Sequence, residues 1–184
     1  MKKMYPDAET RTNFKYPRGG LMQLRDFVKD GELRHPTMLD ANGKHCLIVV
    51  KNGAATGVTL SRMTGIESFV HEYKDYPISS TSMEIAAYSY SHKDGAFSAP
   101  GDSRSVLSDA NSCIVGLLIG GTGQTDFTDV TYVSPYYFLD ERIKKAIPNS
   151  YLYPFPKPTP AQVATSINDG MGFLSFLTIL FPLL

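Results

Sequence analysis

The sequence predicts a mostly β protein, an antiparallel β-barrel followed by a C-terminal helix. Short runs rich in apolar and β-branched residues, which make about six strands, alternate with glycine-containing turns, a spacing typical of barrels and sandwiches. One later segment, Tyr136–Ala146, has the apolar spacing of an amphipathic helix instead. Many strands and one closing helix together favour the barrel.

The predicted strands follow a polar turn at Asp40–Gly43, and Lys51-Asn52-Gly53 predicts a tight hairpin because Asn-Gly pairs favour positive φ. Gly65 is predicted to separate two of the strands. The runs are Cys46–Val50, Gly57–Leu60, Ile66–Val70, Met83–Tyr90, Val106–Leu107, Cys113–Ile119 and Val130–Val133.

The helix over Tyr136–Ala146 begins directly after Pro135 and ends shortly before Pro148, two places where proline is tolerated. Its last turn carries Lys144 and Lys145, which complement the negative end of the helix dipole. The sequence therefore predicts both ends of this helix.

Four regions are expected along the chain. Residues 1–32 form a polar lead-in, partly disordered, within which Leu21–Val28 has helical spacing over two turns. Residues 33–150 form the barrel and its helix, and 151–171 form a proline-rich linker. Residues 172–184 are an apolar tail of about 20 Å as a helix, shorter than the ~30 Å bilayer core. A buried end and a membrane-associating tail both stay open.

Composition limits the classes of partner. The chain of 184 residues has 18 basic and 18 acidic residues, so no basic field is expected to attract nucleic acid. No apolar stretch follows the N-terminal lysines, so no secretory signal is visible, which favours an intracellular location. We expect no nucleic-acid partner.

The cysteines and histidines predict neither a metal site nor a cofactor. Cys46 and Cys113 each begin an apolar run, which favours two buried thiols, although one disulfide stays open. The four histidines and two cysteines lack the paired spacing of zinc ligands.

Gly101-Asp102-Ser103 is a turn between extended segments that could present a serine nucleophile. By itself the triplet is an ordinary turn. An α/β-hydrolase is excluded because Ser105 stands where Gly-x-Ser-x-Gly requires glycine and no histidine follows His92. The same absence excludes lipases that carry a Gly-Asp-Ser signature. The order of the following parts is more specific than the triplet: an apolar strand ending in two glycines, another strand, and a helix.

From Cys46 to about Tyr153 the chain resembles the C-terminal half of trypsin-like (chymotrypsin-fold) serine proteases. It is most similar to uncharacterised fungal members with an NG-containing turn and the patterns FSxPGDSGS, GLLxGG and YxxPxxxLxxRI. The counterparts here are Lys51-Asn52-Gly53, Phe97–Ser105, Gly116–Gly121 and Tyr132–Ile143. The resemblance implies the second barrel of that fold and an endopeptidase ancestry.

The resemblance also implies roles for individual residues. Ser103 matches the nucleophile, the amides of Gly101 and Ser103 match the oxyanion hole, and Asp102 matches the residue that holds the turn. Phe97 matches the base of the side-chain pocket, where an apolar residue suits an apolar substrate side chain. The wall that pairs with substrate backbone is matched by Ile119, Gly120 and Gly121.

Two departures from the pattern predict an inactive homologue. Arg104 replaces the glycine of GDSG, and the first barrel, which carries the histidine and aspartate of the triad, is not expected in this chain. A serine needs that base to attack. The histidines present, His35, His45, His71 and His92, are expected in surface or loop positions.

Two alternatives stay open: an active serine endopeptidase whose base comes from a partner or a swapped chain, and a non-catalytic peptide-binding module. The expected partner is a peptide or protein, as substrate or as ligand. Self-association through an exposed barrel face is also expected, while membrane contact by the tail is a lesser alternative.

Overall fold

The computed structural model describes residues 2–13, 21–73, 79–91, 93–123, 130–152 and 180–182. Most of the predicted linker, 151–171, and of the predicted tail, 172–184, lies outside the described residues, as does His92. The elements are α1 (Ala8–Asn13), β1 (Leu21–Gln23), β2 (Asp26–Phe27), α2 (Asp30–Arg34), β3 (Leu47–Gly53), β4 (Gly57–Tyr73), β5 (Ser79–Ser89), β6 (Val106–Asp109), β7 (Cys113–Thr122), β8 (Val130–Pro135), α3 (Tyr136–Ala146) and β9 (Leu180–Pro182).

Six of these strands form a closed antiparallel barrel, in the order β3-β4-β5-β8-β7-β6 and back to β3. The pairing of β7 with β8 closes it, while β2 adds to β7 in parallel. Helix α3 follows the last barrel strand and has the predicted bounds. The predicted fold, a mostly β antiparallel barrel with a helix near the C-terminus, is confirmed.

The apolar core occupies the barrel interior, and a second apolar cluster covers part of its outer surface. Val49 belongs to the interior cluster and its neighbour Val50 to the second, as expected where successive strand residues face opposite sides. Met4, Tyr5, Met22 and Leu24 belong to the second cluster. The N-terminal segments therefore pack against the barrel wall.

The segment Leu21–Val28 is not helical, so that prediction is wrong. It forms β1, which pairs with β9, and β2, which pairs with β7. Met22 and Leu24 are buried, whereas Gln23 and Arg25 are exposed, which is the two-residue period of a strand. Pairing with distant strands decides the structure of so short a segment.

Strand β4 is continuous, so the predicted separation of two strands at Gly65 is wrong. Gly65 has φ +79° and lies within a bulge between Met63 and Glu67. A Cβ on Gly65 would come 2.3 Å from the Arg34 carbonyl oxygen of α2. Glycine here permits a close approach of α2 and a bend, rather than a strand end.

The predicted turn at Lys51-Asn52-Gly53 is also misplaced. These residues belong to β3, where Gly53 pairs with Gly57, and residues 54–56 form the turn. The positive φ of this hairpin is at Gly57, +64°. Gly53 is required for a different reason, described below.

Both cysteine thiols are free. Burial raises the pKa of Cys46, and burial followed by the charges of Asp109 and Asp26 raises the pKa of Cys113 to about 11. Both thiols are therefore protonated at neutral pH and weakly reactive. Within the described ranges, no helix is long and apolar enough to cross a membrane.

Candidate functional site: the serine turn

The turn that carries Ser103 connects Phe97 to β6 and is tied to β7 by backbone hydrogen bonds. The Arg104 amide donates to the Leu118 carbonyl at 2.7 Å, and the Leu118 amide donates to the Ser105 carbonyl at 2.9 Å. Within the turn, the Asp102 amide donates to the carbonyl of Ala99. The serine is thus fixed next to the middle of β7.

The Asp102 carboxylate is fully buried and holds the turn from the inside. Its Oδ1 accepts the Ala55 and Thr56 amides, at 2.7 and 3.2 Å. Its Oδ2 accepts the Thr56 hydroxyl at 2.6 Å and the Ala99 amide at 3.1 Å. One carboxylate therefore joins the β3–β4 turn to the serine turn.

Lys51 provides the counter-charge of Asp102. Its Nζ lies 3.1 Å from Oδ2, and both side chains are 0% exposed. The ammonium also donates to the Thr56 hydroxyl at 2.6 Å and to the Gly57 carbonyl at 3.3 Å. It lies 5.5 Å from the centre of the Phe97 ring, within cation–π range. With three acceptors for its three N–H groups, the buried ammonium is fully hydrogen-bonded.

Burial and hydrogen bonding act in opposite directions on these two groups. Burial alone would raise the pKa of Asp102, but hydrogen bonds from Thr56, from the Ala55 and Ala99 amides and from Lys51 hold that pKa well below its usual range. Burial lowers the pKa of Lys51, and Asp102 partly offsets that effect. Asp102 is therefore an anion at neutral pH.

Gly53 leaves the space that the carboxylate occupies. A Cβ at this position would lie 2.2 Å from Asp102 Oδ1 and 2.8 Å from Lys51 Nζ. No side chain fits there without displacing the ion pair, so Gly53, Lys51 and Asp102 form one unit. We call these three residues the buried clamp.

The outer surface of the turn is open. Gly101, Ser103 and Arg104 are exposed, with φ +106° at Gly101 and +71° at Arg104. Within the described part of the chain, the amides of Gly101 and Ser103 donate to no acceptor, and Arg104 makes no ion pair. Two free N–H groups, a hydroxyl and a guanidinium therefore lie within four residues at the surface.

No described side chain hydrogen-bonds the Ser103 hydroxyl. His35 follows the end of α2, and His45 pairs with Leu39 in an isolated bridge. The His71 ring contacts the Thr81 hydroxyl. None of the described histidines therefore acts as a hydrogen-bonded base for Ser103.

The three predicted wall residues lie on β7 directly after Leu118. On one side, Gly120 and Gly121 pair with Tyr132 and Thr131 of β8. On the other side, the ladder with β6 ends at Leu117. Ile119 is 42% exposed, and a Cβ on Gly120 would meet nothing within 4 Å. Among the residues that the structure describes, one edge of β7 is therefore unpaired from residue 119 onward.

Phe97 lies in the barrel core and is 1% exposed. Its carbonyl accepts the Thr59 hydroxyl at 2.7 Å. The structure gives this residue a core position beside Lys51, and its role at the base of a substrate pocket stays a prediction. Across the described residues, no three His, Cys, Asp or Glu side chains cluster as metal ligands would.

Lys51 and Thr56 belong to this site, although the resemblance and the sequence motifs do not point to them as site residues. A signal was present, because Lys51 continues the apolar run Leu47–Val50, and a charged residue there needs a buried partner. For Gly53 the sequence pattern predicts a turn, whereas the structure requires glycine there because of the Asp102 carboxylate.

The fold and the turn define a class: a closed six-stranded antiparallel barrel with a serine turn held from inside by a buried ion pair. Comparison with protein-family models gives no match, and no curated protein matches the sequence.

Proposed function

We propose that this chain is a trypsin-like serine protease homologue that is catalytically inactive by itself. The order of its parts supports the ancestry: a buried aspartate beside an exposed serine, a glycine-bearing strand, a last strand and a helix. The observation that carries the inactivity is the Ser103 hydroxyl, which has no base among the described residues.

The chemical reason is the acidity of serine. A hydroxyl attacks a carbonyl at useful rates only when a neighbouring group takes its proton, usually a histidine within hydrogen-bonding distance. The free amides of Gly101 and Ser103 can stabilise an oxyanion, but they do not activate the hydroxyl. Arg104 adds a side chain and a charge beside it, where the resembling proteases have glycine.

A serine-directed fluorophosphonate probe tests the proposal. We expect no labelling of the purified chain, measured by intact-mass spectrometry, because labelling requires an activated hydroxyl. Stoichiometric labelling that is lost in Ser103→Ala and kept in Ser105→Ala would contradict the proposal. It would favour instead an active endopeptidase with a base from a partner or swapped chain.

The Arg104→Gly variant separates the two reasons for inactivity. Restoring glycine removes the side chain but supplies no base, so we expect peptide hydrolysis to stay at background. Hydrolysis that appears in Arg104→Gly and disappears in the Ser103→Ala double variant would show that a base is present.

The unpaired edge of β7 favours a second function, peptide binding without chemistry. An extended peptide can add to such an edge through backbone hydrogen bonds, which need no triad. We expect peptide binding to persist in Ser103→Ala and to fall in Gly121→Trp. Equal binding by the Gly121→Trp variant would exclude this edge.

A further inference from the structure

Several hydrogen-bond donors without an acceptor in the described chain lie together at the surface of the serine turn. The amides of Gly101 and Ser103 have no acceptor in the described chain, and the exposed Arg104 guanidinium has no carboxylate partner. By contrast, the carboxylate nearest in sequence, Asp102, points inward and is 0% exposed. The outer side of the turn therefore carries hydrogen-bond donors and a positive charge, and no described carboxylate pairs with them.

Such an arrangement suits an anion. Backbone N–H groups in turns that include positive φ residues form concave sites for carboxylates and phosphates. A guanidinium adds a charge-assisted, two-pronged contact to a carboxylate. In this chain both kinds of donor come from Gly101, Ser103 and Arg104.

The β7 edge identifies which anion fits. In the described ranges no strand pairs with this edge from Ile119 to Thr122, and the preceding Leu118 is bonded to Arg104 and Ser105 of the turn. A peptide added antiparallel to β7 runs from the Thr122 end toward Leu118. Its C-terminal end therefore arrives at the turn, where the free donors are.

We propose that the serine turn and the β7 edge together bind the C-terminus of a peptide, with the terminal carboxylate held by the Gly101 and Ser103 amides and by Arg104. This inference deepens the peptide-binding proposal and rests on it. It gives Arg104 a role as a recognition residue, in place of the glycine that catalysis favours. A free C-terminus is then bound more tightly than the same peptide with its carboxylate blocked.

Matched peptide pools test the inference. Fluorescent decapeptides randomised at their last four positions are prepared as free acids and as C-terminal amides, and binding is measured by fluorescence anisotropy. Because the carboxylate would lose its charge-assisted contacts, we expect amidation to weaken binding by about tenfold or more. In Arg104→Gln we expect the ratio of the two dissociation constants, amide over free acid, to fall toward one, because the charge-assisted contact is made only with the carboxylate.

The control variant is Arg25→Gln. Arg25 is an exposed arginine whose amide bonds to Ser112, just before β7 and at the opposite end of that strand from Ile119. Its replacement removes the same charge from the chain and should leave the preference for the free acid intact. An equal loss in both variants would indicate non-specific attraction by net charge and would overturn the proposal.

The remaining outcomes separate this inference from the functions on which it rests. Acid and amide pools that bind equally, with binding lost in Gly121→Trp, would overturn carboxylate recognition and leave the peptide edge. No binding of either pool at about 1 mM would overturn both. Mass spectrometry of the recovered peptides reports cleavage separately, and cleavage would contradict only the proposed inactivity. Amide resonances of Gly101 and Ser103 that shift on titration with acetate would support the assigned donors directly.

Discussion

At the residue scale, the buried clamp is the feature on which the serine turn depends. Lys51 and Asp102 are both 0% exposed and meet at 3.1 Å. Removing two charges from water costs several kcal/mol per ion, which a pair regains only with good geometry and further hydrogen bonds. Both groups have those bonds here, so the pair fixes the position of the turn.

Replacing Lys51 with methionine leaves the Asp102 charge buried without a counter-charge. We expect Lys51→Met to lower the free energy of unfolding by about 3–5 kcal/mol, the usual cost of removing one partner of a buried pair. Urea unfolding measures this, and the Lys51→Met/Asp102→Asn double variant should lose less than the sum of the two single changes. A loss below about 1 kcal/mol, as for exposed pairs, would contradict a structural role.

The buried Asp102 also predicts that the folded chain becomes less stable at acid pH. Its pKa is lowered in the folded chain because hydrogen bonds and Lys51 outweigh its burial. The folded state therefore holds fewer protons than the unfolded state below the usual aspartate pKa of about 4, and stability falls as pH drops through that range.

We expect the free energy of unfolding to decrease below about pH 5. In Asp102→Asn, the free energy of unfolding should depend less steeply on pH in this range. Urea titrations at a series of pH values provide the measurement. The control is Asp26→Asn, which removes a carboxyl whose side chain is 60% exposed. An unchanged pH dependence in Asp102→Asn would show that other carboxyl groups cause the loss of stability at low pH.

At the element scale, the hairpin of β3 and β4 provides most of the contacts of the Asp102 carboxylate. Its turn supplies the Ala55 and Thr56 amides, its first strand supplies Lys51, and Gly53 leaves room for the carboxylate. The Asn52-Gly53 pair correctly indicates a hairpin, but it does not form the turn of that hairpin. Glycine is required at position 53 because the side chain of Asp102, 49 positions later, occupies the space that a Cβ would fill.

Gly53→Ala tests this explanation. Its Cβ would lie 2.2 Å from Asp102 Oδ1, so the carboxylate must move and its hydrogen bonds are lost. We expect a loss of stability approaching the roughly 3–5 kcal/mol of a broken buried pair, measured by urea unfolding. In the matched variant Gly31→Ala, a Cβ in α2 meets nothing within 4 Å, so no loss is expected there. Equal stability of both variants would contradict the close packing around Asp102.

At the scale of the whole molecule, the sequence predicts the barrel and α3 well because their signals are local. Apolar runs between turns locate most barrel strands, and two prolines delimit the helix. The sequence does not predict β1 and β2, because these strands form only by pairing with the distant strands β9 and β7. The same holds for the site, since the serine turn is visible in the sequence, whereas its attachment to Lys51 requires the folded chain.

The whole molecule also has a surface that predicts self-association. Strands β4 and β5 extend beyond the barrel, since the ladder of β4 with β3 ends at Met63 and that of β5 with β8 ends at Ile85. On this extension Phe69, 76% exposed, lies directly opposite Met83, 43% exposed. Unpaired strand edges with exposed apolar residues favour pairing between chains.

We therefore expect concentration-dependent association at tens of micromolar, measured by sedimentation velocity, and a shift to monomer in Phe69→Lys. A lysine on a strand edge opposes pairing because the second chain would have to bury its charge. Phe138→Lys is the control, because it places the same charge at an exposed phenylalanine of α3, outside the extension of β4 and β5. If the unmodified chain is monomeric, or if both lysine variants dissociate it equally, the strand extension is not the contact.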